Sequence, residues 1–414
     1  MKRVLIINTS DLVGGAARAA NRIHKGLLNK NIHSRMLVQN QLAHDETVIG
    51  PDSFFERQAV RLNPKFDDLV CQLNGGTNSA IFSVARKSLY PVMRKVKAYK
   101  PDLVNLHWVS GGMMQCSWFG QFDCPVVWTL HDMWPFTGGC HYDNECGRYT
   151  DECGNCPQLN KKGPRDLSYK VLKKKNRVFR SSDFSVVTPS RWLAKCARES
   201  KVMADKEIKV IPNGIDLSVF KPLDRKFARS IWNLPAQKKL VLFGAMCSTS
   251  DKRKGFDLLL PAIKRLMEAR KHDVQLVIFG DDGSEFGPDV RAIGTLSDEI
   301  SLATLYAAAD VMVVPSRQDN LPNTVVESLA CGTPVVGFNI GGMSDMVSHK
   351  EHGYLVRPFD EIDLADGINW VLSDEERHFE LSRKARAKAE SHYDVNLAAE
   401  NYWQFFQQEM EKHS

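Results

Sequence analysis

Asp319 and Glu327 flank a turn within the stretch Ser316 to Val336, SRQDNLPNTVVESLACGTPVV. The apolar run Val311 to Val314 just before it reads as a buried strand. Asn323 suits the N-cap of a helix over Thr324 to Ala330, and Gly332 is the natural stop past its end. Two carboxylates so placed accept hydrogen bonds from hydroxyl groups. Backbone N–H groups at a helix start stabilise anionic oxygens. Hydroxyls beside phosphate are what a sugar nucleotide presents. The plainer alternative is a strand, turn and helix with solvated acids.

Other stretches carry chemistry of the same kind. Val4 to Ile7 reads as a strand, followed by a loop ending in Gly14 and Gly15 and a helix from Ala16 to Leu28. Glycines there let backbone N–H groups approach a phosphate closely, although a plain turn uses them too. Val126 to Leu130 reads as a parallel strand that delivers His131 and Asp132 at its carboxyl end, where doubly wound sheets collect ligands. His107 ends an earlier strand and is a weaker candidate for the same place. Lys254, in the run Lys252-Arg253-Lys254, is a point charge suited to phosphate. Asp281 and Asp282 follow a strand and read as a turn rather than a metal site.

Cys140, Cys146, Cys153 and Cys156 are denser than core packing explains, and the last two form CxxC. Four thiolates at such spacing can close a structural zinc site, with His141 able to replace one ligand. Two reduced thiol pairs and a redox pair are the other readings. Residues 161 to 180 are strongly basic with interleaved apolar positions. This segment suits a helix lying on an anionic membrane or holding a lipid-linked diphosphate, and equally the solvated face of a packed helix.

The Asp319 to Val336 stretch is similar to the donor-site motif of the retaining glycosyltransferases of family four, which have the GT-B fold. Their motif is an acid, seven residues, Glu, and an ACGTPVV-like segment. Glu327 matches directly, and Asp319 stands where the family usually has Glu. The resemblance implies that Glu327 binds the ribose and Asp319 the transferred sugar. It also implies that Asn320, Leu321, Pro322 and Asn323 line the donor site. Gly14 and Gly15 are carried over as contacts near the diphosphate, and the TLHD segment carries His131 over as a residue beside the reacting carbon. The family's Gly-Arg after this strand is Gly244-Ala245 here, so Arg253 is the expected substitute beside Lys254. The TLHD and cysteine run resembles a branch that includes colanic-acid-type exopolysaccharide transferases.

The positioning elements follow from composition and order. A chain of 414 residues with 43% hydrophobic content is long enough for two cores. Strands alternating with helices in both halves lead us to expect an α/β protein, and the resemblance implies the GT-B arrangement of two doubly wound Rossmann-like domains facing a cleft. The bounds it implies are 1–219 for an acceptor-side domain and 220–394 for a donor domain, with a final helix at 395–414 returning to the first. A net charge of +6 is too modest to suggest nucleic acid, and no apolar run is long enough to span a bilayer. The expectation is a cytoplasmic enzyme, peripheral on the inner membrane face. It would move a hexosyl group from a nucleoside diphosphate sugar to a glycan, in surface polysaccharide synthesis, with no cofactor for catalysis. A sugar-nucleotide epimerase of the same fold is the first alternative, and a basic nucleic-acid-binding protein a distant one.

Overall fold

Short runs of valine, isoleucine and leucine, each closed by glycine, proline or a polar residue, set the strands. Intervening helices return the chain to the same edge, so neighbouring strands pair in parallel. The computed structural model describes residues 2–76, 82–85, 87–244, 251–270, 273–280 and 290–413. It divides into two units, residues 1–212 with 398–414, and residues 213–397.

The first unit contains β1 (Arg3–Ser10), α1 (Gly15–Asn29), β2 (His33–Asn40), β3 (Val48–Ile49), α2 (Phe54–Leu73) and α3 (Val92–Tyr99). It continues with β4 (Leu103–Leu106), β5 (Val126–Thr129), α4 (Leu167–Arg180), β6 (Ser185–Thr188), α5 (Arg191–Glu199) and β7 (Ile208–Val210). Its sheet runs β3-β2-β1-β4-β5-β6-β7, parallel throughout. β1 is buried almost end to end because side chains meet it from both faces.

α2 runs on through Pro64 to Leu73. Proline forfeits one backbone bond, but Val60, Asn63, Asp67 and Cys71 bury one face on both sides of it. α3 begins at Val92, behind Pro91. Between them Asp67 accepts the amides of Val84 and Ala85, which holds 82–85 against α2.

The basic segment becomes α4, and its apolar positions Leu167, Val171, Leu172 and Phe179 all face inward. Lys175 is buried with them. Its ammonium donates to the carbonyls of Trp134 and Thr137 and sits 3.9 Å from the Trp134 ring centroid. Burial lowers this lysine to about 8. The cations left outside therefore have no apolar face beneath them, and α4 is a packed helix with a solvated side.

The second unit begins with α6 (Arg225–Ile231), β8 (Lys239–Gly244), α7 (Phe256–Ala269), β9 (Val274–Phe279), β10 (Val290–Gly294), α8 (Glu299–Ala308) and β11 (Val311–Val314). It ends with α9 (Asn323–Ala330), β12 (Val335–Phe338), α10 (Met343–Met346), β13 (Gly353–Val356), α11 (Glu361–Leu372), α12 (Glu375–His392) and the start of α13 (Val395–Lys412). Its sheet order is β10-β9-β8-β11-β12-β13, again parallel. The later part of α13 belongs to the first unit, where Tyr402, Phe405, Phe406 and Met410 pack with Val4, Ile6, Ile23 and Leu27.

Candidate active site

In the second unit, β11 leads through Pro315 into the turn that carries Asp319, and α9 follows. Asn323 is the first residue of α9 rather than its cap; Pro322 holds the cap position and makes no side-chain cap bond. The Asn323 side chain instead accepts from Asn213 at 3.3 Å. Leu321 is buried in the apolar cluster with Val325 and Leu329, so it anchors the turn. Asn320 donates its backbone N–H to the Asp319 carboxylate at 3.0 Å.

Two cations reach that carboxylate. Lys254 Nζ lies 2.7 Å and an Arg253 guanidinium nitrogen 3.2 Å from the same Asp319 oxygen. Burial would raise this carboxyl, yet the Lys254 and Arg253 charges outweigh it and hold the group below its ordinary value. Local stitching brings them there. Asp251 caps the short turn Lys252–Lys254, and the Arg253 carbonyl accepts the Arg317 amide at 2.8 Å. Gly255 then turns the chain into α7 at φ +72°, where a Cβ would overlap the Pro315 carbonyl oxygen. Only glycine allows that approach, which explains physically why Lys254 is followed by Gly255. Residues 246–250 of the loop after β8, and the acid pair Asp281-Asp282, lie outside the described residues.

Glu327 is separate from this trio. It is 2% exposed, and Tyr306 from α8 donates its hydroxyl to one carboxylate oxygen at 2.9 Å. The tyrosine is fully buried and nothing in its sequence context marked it. Two carboxylates of one turn thus have different partners: a phenol for Glu327, two cations for Asp319.

In the first unit, Gly14 takes the cap position of α1 at φ +96° and Gly15 is its first residue. Asp11 holds the neighbouring loop through the Leu42 and Ala43 amides. At the carboxyl ends of β4 and β5 a chain of polar groups fixes His131. Asn105 Nδ2 donates to the Val127 carbonyl and the Thr129 hydroxyl, both at 3.0 Å. Its oxygen therefore faces His107 Nε2, 2.7 Å away, which must donate. Burial holds His107 far below its ordinary value and His131 down to about 4, so both rings are neutral near pH 7. His107 then accepts at Nδ1, and His131 Nε2 donates to it across 2.8 Å. In this tautomer Nδ1 of His131 carries no proton.

Asp132, next in sequence, points elsewhere. It accepts from Trp108 Nε1 at 2.9 Å and contacts His141 Nδ1 at 2.6 Å. Burial alone would raise its carboxyl, but His141 and these donors hold it below the ordinary value.

The family profile described as Glycosyltransferase Family 4 matches residues 13–219, and that described as Glycosyl transferases group 1 matches residues 237–374. The chain belongs to glycosyltransferase family 4. It is a glycosyltransferase, and retention of configuration is typical of that family. The D-inositol 3-phosphate glycosyltransferase of Xylanimonas cellulosilytica is 28% identical over 311 residues, 69% of this chain and 67% of that one. The protein of that name from Mycolicibacterium smegmatis is 36% identical over 182 residues, but this covers 41% of the chain and 40% of the relative. Sucrose-phosphate synthase from Thermosynechococcus elongatus superposes with a TM-score of 0.72 at 20% identity, covering 99% of each chain. Anabaena HepE, in complex with UDP and glucose, gives 0.64 at 18%, covering 98% of this chain and 100% of its own. These likenesses show the GT-B fold.

The four cysteines of this glycosyltransferase do not fit a zinc ion in the arrangement described. Among the described residues no three His, Cys, Asp or Glu side chains are placed to hold a metal. Cys140 and Cys156 pack in one apolar cluster with Phe82, Leu159 and Val171, whereas Cys153 packs in another with Phe136 and Tyr149. All four, Cys146 included, are free thiols that burial pushes up, and Cys140 also feels the charges of Cys146, Cys153 and Cys156. His141 is no substitute, because its second ring nitrogen meets Ser83 Oγ at 3.1 Å.

Proposed function

We propose that this glycosyltransferase moves a hexosyl group from a nucleoside diphosphate sugar to a lipid-linked glycan in bacterial surface polysaccharide synthesis. The observation that carries the donor half is the Lys254–Arg253–Asp319 trio beside the start of α9. Two cations and helix amides suit a diphosphate, and a neighbouring carboxylate suits sugar hydroxyls. Glu327, oriented by Tyr306, takes the ribose hydroxyls. Asn320 and Asn323 line the same turn, while Leu321 and Pro322 shape it. Gly14, Gly15 and His131 are carried over from the family resemblance as contacts with the donor.

In this reading catalysis is electrostatic. As the glycosidic bond breaks, negative charge grows on the diphosphate, and Lys254, Arg253 and the α9 amides stabilise it. The incoming hydroxyl attacks from the face the diphosphate leaves, and its proton departs with that group. No resident metal is needed for these steps, since the protein supplies the cations. The lipid-linked acceptor and the exopolysaccharide branch rest on the TLHD and cysteine run. The same reading places the enzyme on the inner membrane face; among the described residues no helix is long and apolar enough to cross a bilayer.

A donor panel tests the reading: UDP-glucose, UDP-galactose, UDP-N-acetylglucosamine, GDP-mannose and GDP-fucose, titrated against wild type and Glu327→Ala. Inositol 3-phosphate and a short lipid-linked glycan serve as acceptors. One preferred donor, lost in the variant and consumed only with acceptor, supports it. Donor isomerised without acceptor would assign an epimerase instead.

A further inference from the structure

Helix α2 carries an apolar stripe on its outer side. Phe55, Leu62, Phe66, Leu69 and Leu73 are exposed by 82, 42, 49, 49 and 64%. At ~100° per residue they fall within about 40° of the Phe55 direction, one continuous line along the helix. Single exposed leucines are ordinary, but a contiguous stripe of this kind marks an interaction surface. One border of the stripe is the packed face, where Asn63 bonds Gln39 on β2 at 3.0 Å. The side between the stripe and the packed face carries exposed Lys65, Arg61 and Arg57, at about 80, 120 and 160° from the Phe55 direction, with Asp68 as the acid among them. At the end of the helix Lys161 donates to the Leu73 carbonyl at 2.9 Å and adds a fourth cation. The nearby acids on the first turn are matched already: Asp52 by Lys95 and Glu56 by Arg94 and Lys95.

We propose that this face of α2 is the surface by which the enzyme rests on an anionic lipid bilayer. Exposed phenylalanine and leucine beside arginine and lysine is the profile of a helix lying in the headgroup boundary. The charge is complementary to anionic headgroups. α4, the segment whose sequence suggested such a role, lacks the apolar half of it. The placement also suits the function given above, on whose lipid-linked acceptor it rests. Asn63 ties α2 to β2 near its carboxyl end, and Asp67 ties it to the segment whose Ser83 contacts His141.

The test uses full-length protein and vesicles of phosphatidylcholine alone or mixed with phosphatidylglycerol. Wild type is expected to float with the mixed vesicles, far less with the neutral ones, and to be released by salt. Phe55→Ser with Phe66→Ser should lower partition by about tenfold, since each ring is half to largely exposed. Reversing Arg57, Arg61 and Lys65 to Glu should lower it more, because each cation near such a surface contributes roughly fivefold. Donor titration should be unchanged in every variant, which separates failure of this surface from failure of the proposed function. Unchanged flotation in both variant sets would overturn the proposal, as would absence of wild-type binding. So would a wild-type dimer in solution that Phe55→Ser with Phe66→Ser dissolves, which would assign the stripe to a second copy.

Discussion

Asp319→Asn should make the enzyme bind a bare nucleoside diphosphate more tightly while making the protein less stable. In the unliganded protein the Asp319 carboxylate holds Lys254 and Arg253 at 2.7 and 3.2 Å. An arriving diphosphate must compete for those cations and approach a carboxylate of its own sign. Severing a buried ion pair costs ~3–5 kcal/mol. The Lys254 and Arg253 side chains retain 17 and 22% of their surface, and Arg253 keeps Asp251 at 3.1 Å. We therefore expect about 2 kcal/mol of lost stability. Part of the same energy returns when phosphate takes the unpaired cations, giving roughly 10- to 30-fold tighter binding. The sugar nucleotide should gain less or nothing, because its sugar loses an acceptor that contributes ~1.5–3 kcal/mol.

Calorimetric titration of UDP, GDP and their sugars, at low and moderate salt, reads this as a shrinking gap between nucleotide and sugar nucleotide. Equal or weaker diphosphate binding by Asp319→Asn would refute the competition. Acid unfolding supplies an independent check. The folded carboxyl lies below its unfolded value, so its stabilisation is complete above about 4 and vanishes as pH falls through the folded value. Wild type and variant should differ at neutral pH and converge in acid.

Tyr306→Phe removes the hydroxyl that orients Glu327 and should weaken the preferred donor by about tenfold, with a lower melting temperature; full affinity would detach Glu327 from the ribose. Gly255→Ala should cost ~1–3 kcal/mol of stability and weaken the diphosphate, since the chain must move away from Pro315 and take Lys254 with it; thermal melting and UDP titration check both. Nitrogen-15 spectra of histidine-labelled protein at pH 7 should show His107 and His131 protonated at Nε2, and Asn105→Leu should disturb that single form. A wild-type His131 protonated at Nδ1 would contradict the chain of donors. Both rings ionise more readily unfolded than folded, so together they should make the protein less stable as pH falls from about 6.5 toward 4.

Much of the fold was legible because parallel strands buried on both faces are continuous apolar runs, such as Val311 to Val314, that differ from the helices between them. The acids of the donor turn were legible for a related reason: Asp319 and Glu327 lie close in sequence on one strand–helix connection. Tyr306 was not, since a tyrosine in an apolar helix looks like core until its hydroxyl is seen to meet Glu327. Asn105 was hidden for the same reason inside a strand. The four cysteines stayed open, because spacing along the chain does not show which apolar cluster each thiol enters. The basic run from 161 to 180 left a membrane helix and a solvated face equally open, since nothing in its composition showed that Lys175 points into the core.

The different partners of Asp319 and Glu327 suggest why one turn needs both. Glu327 is held by a phenol, a partner that leaves it oriented when ligand binds. Asp319 is held by the cations that a diphosphate would recruit. In the proposed function, donor binding therefore exchanges two internal ion pairs for two external ones, and the carboxylate is freed at the moment the sugar arrives beside it. A freed negative group near the reacting carbon stabilises the positive charge that grows there as the diphosphate leaves. This exchange predicts that Asp319→Asn loses more turnover than affinity, whereas Tyr306→Phe and Glu327→Ala lose affinity first. Matching losses in turnover and affinity at all three positions would remove the distinction between the two carboxylates.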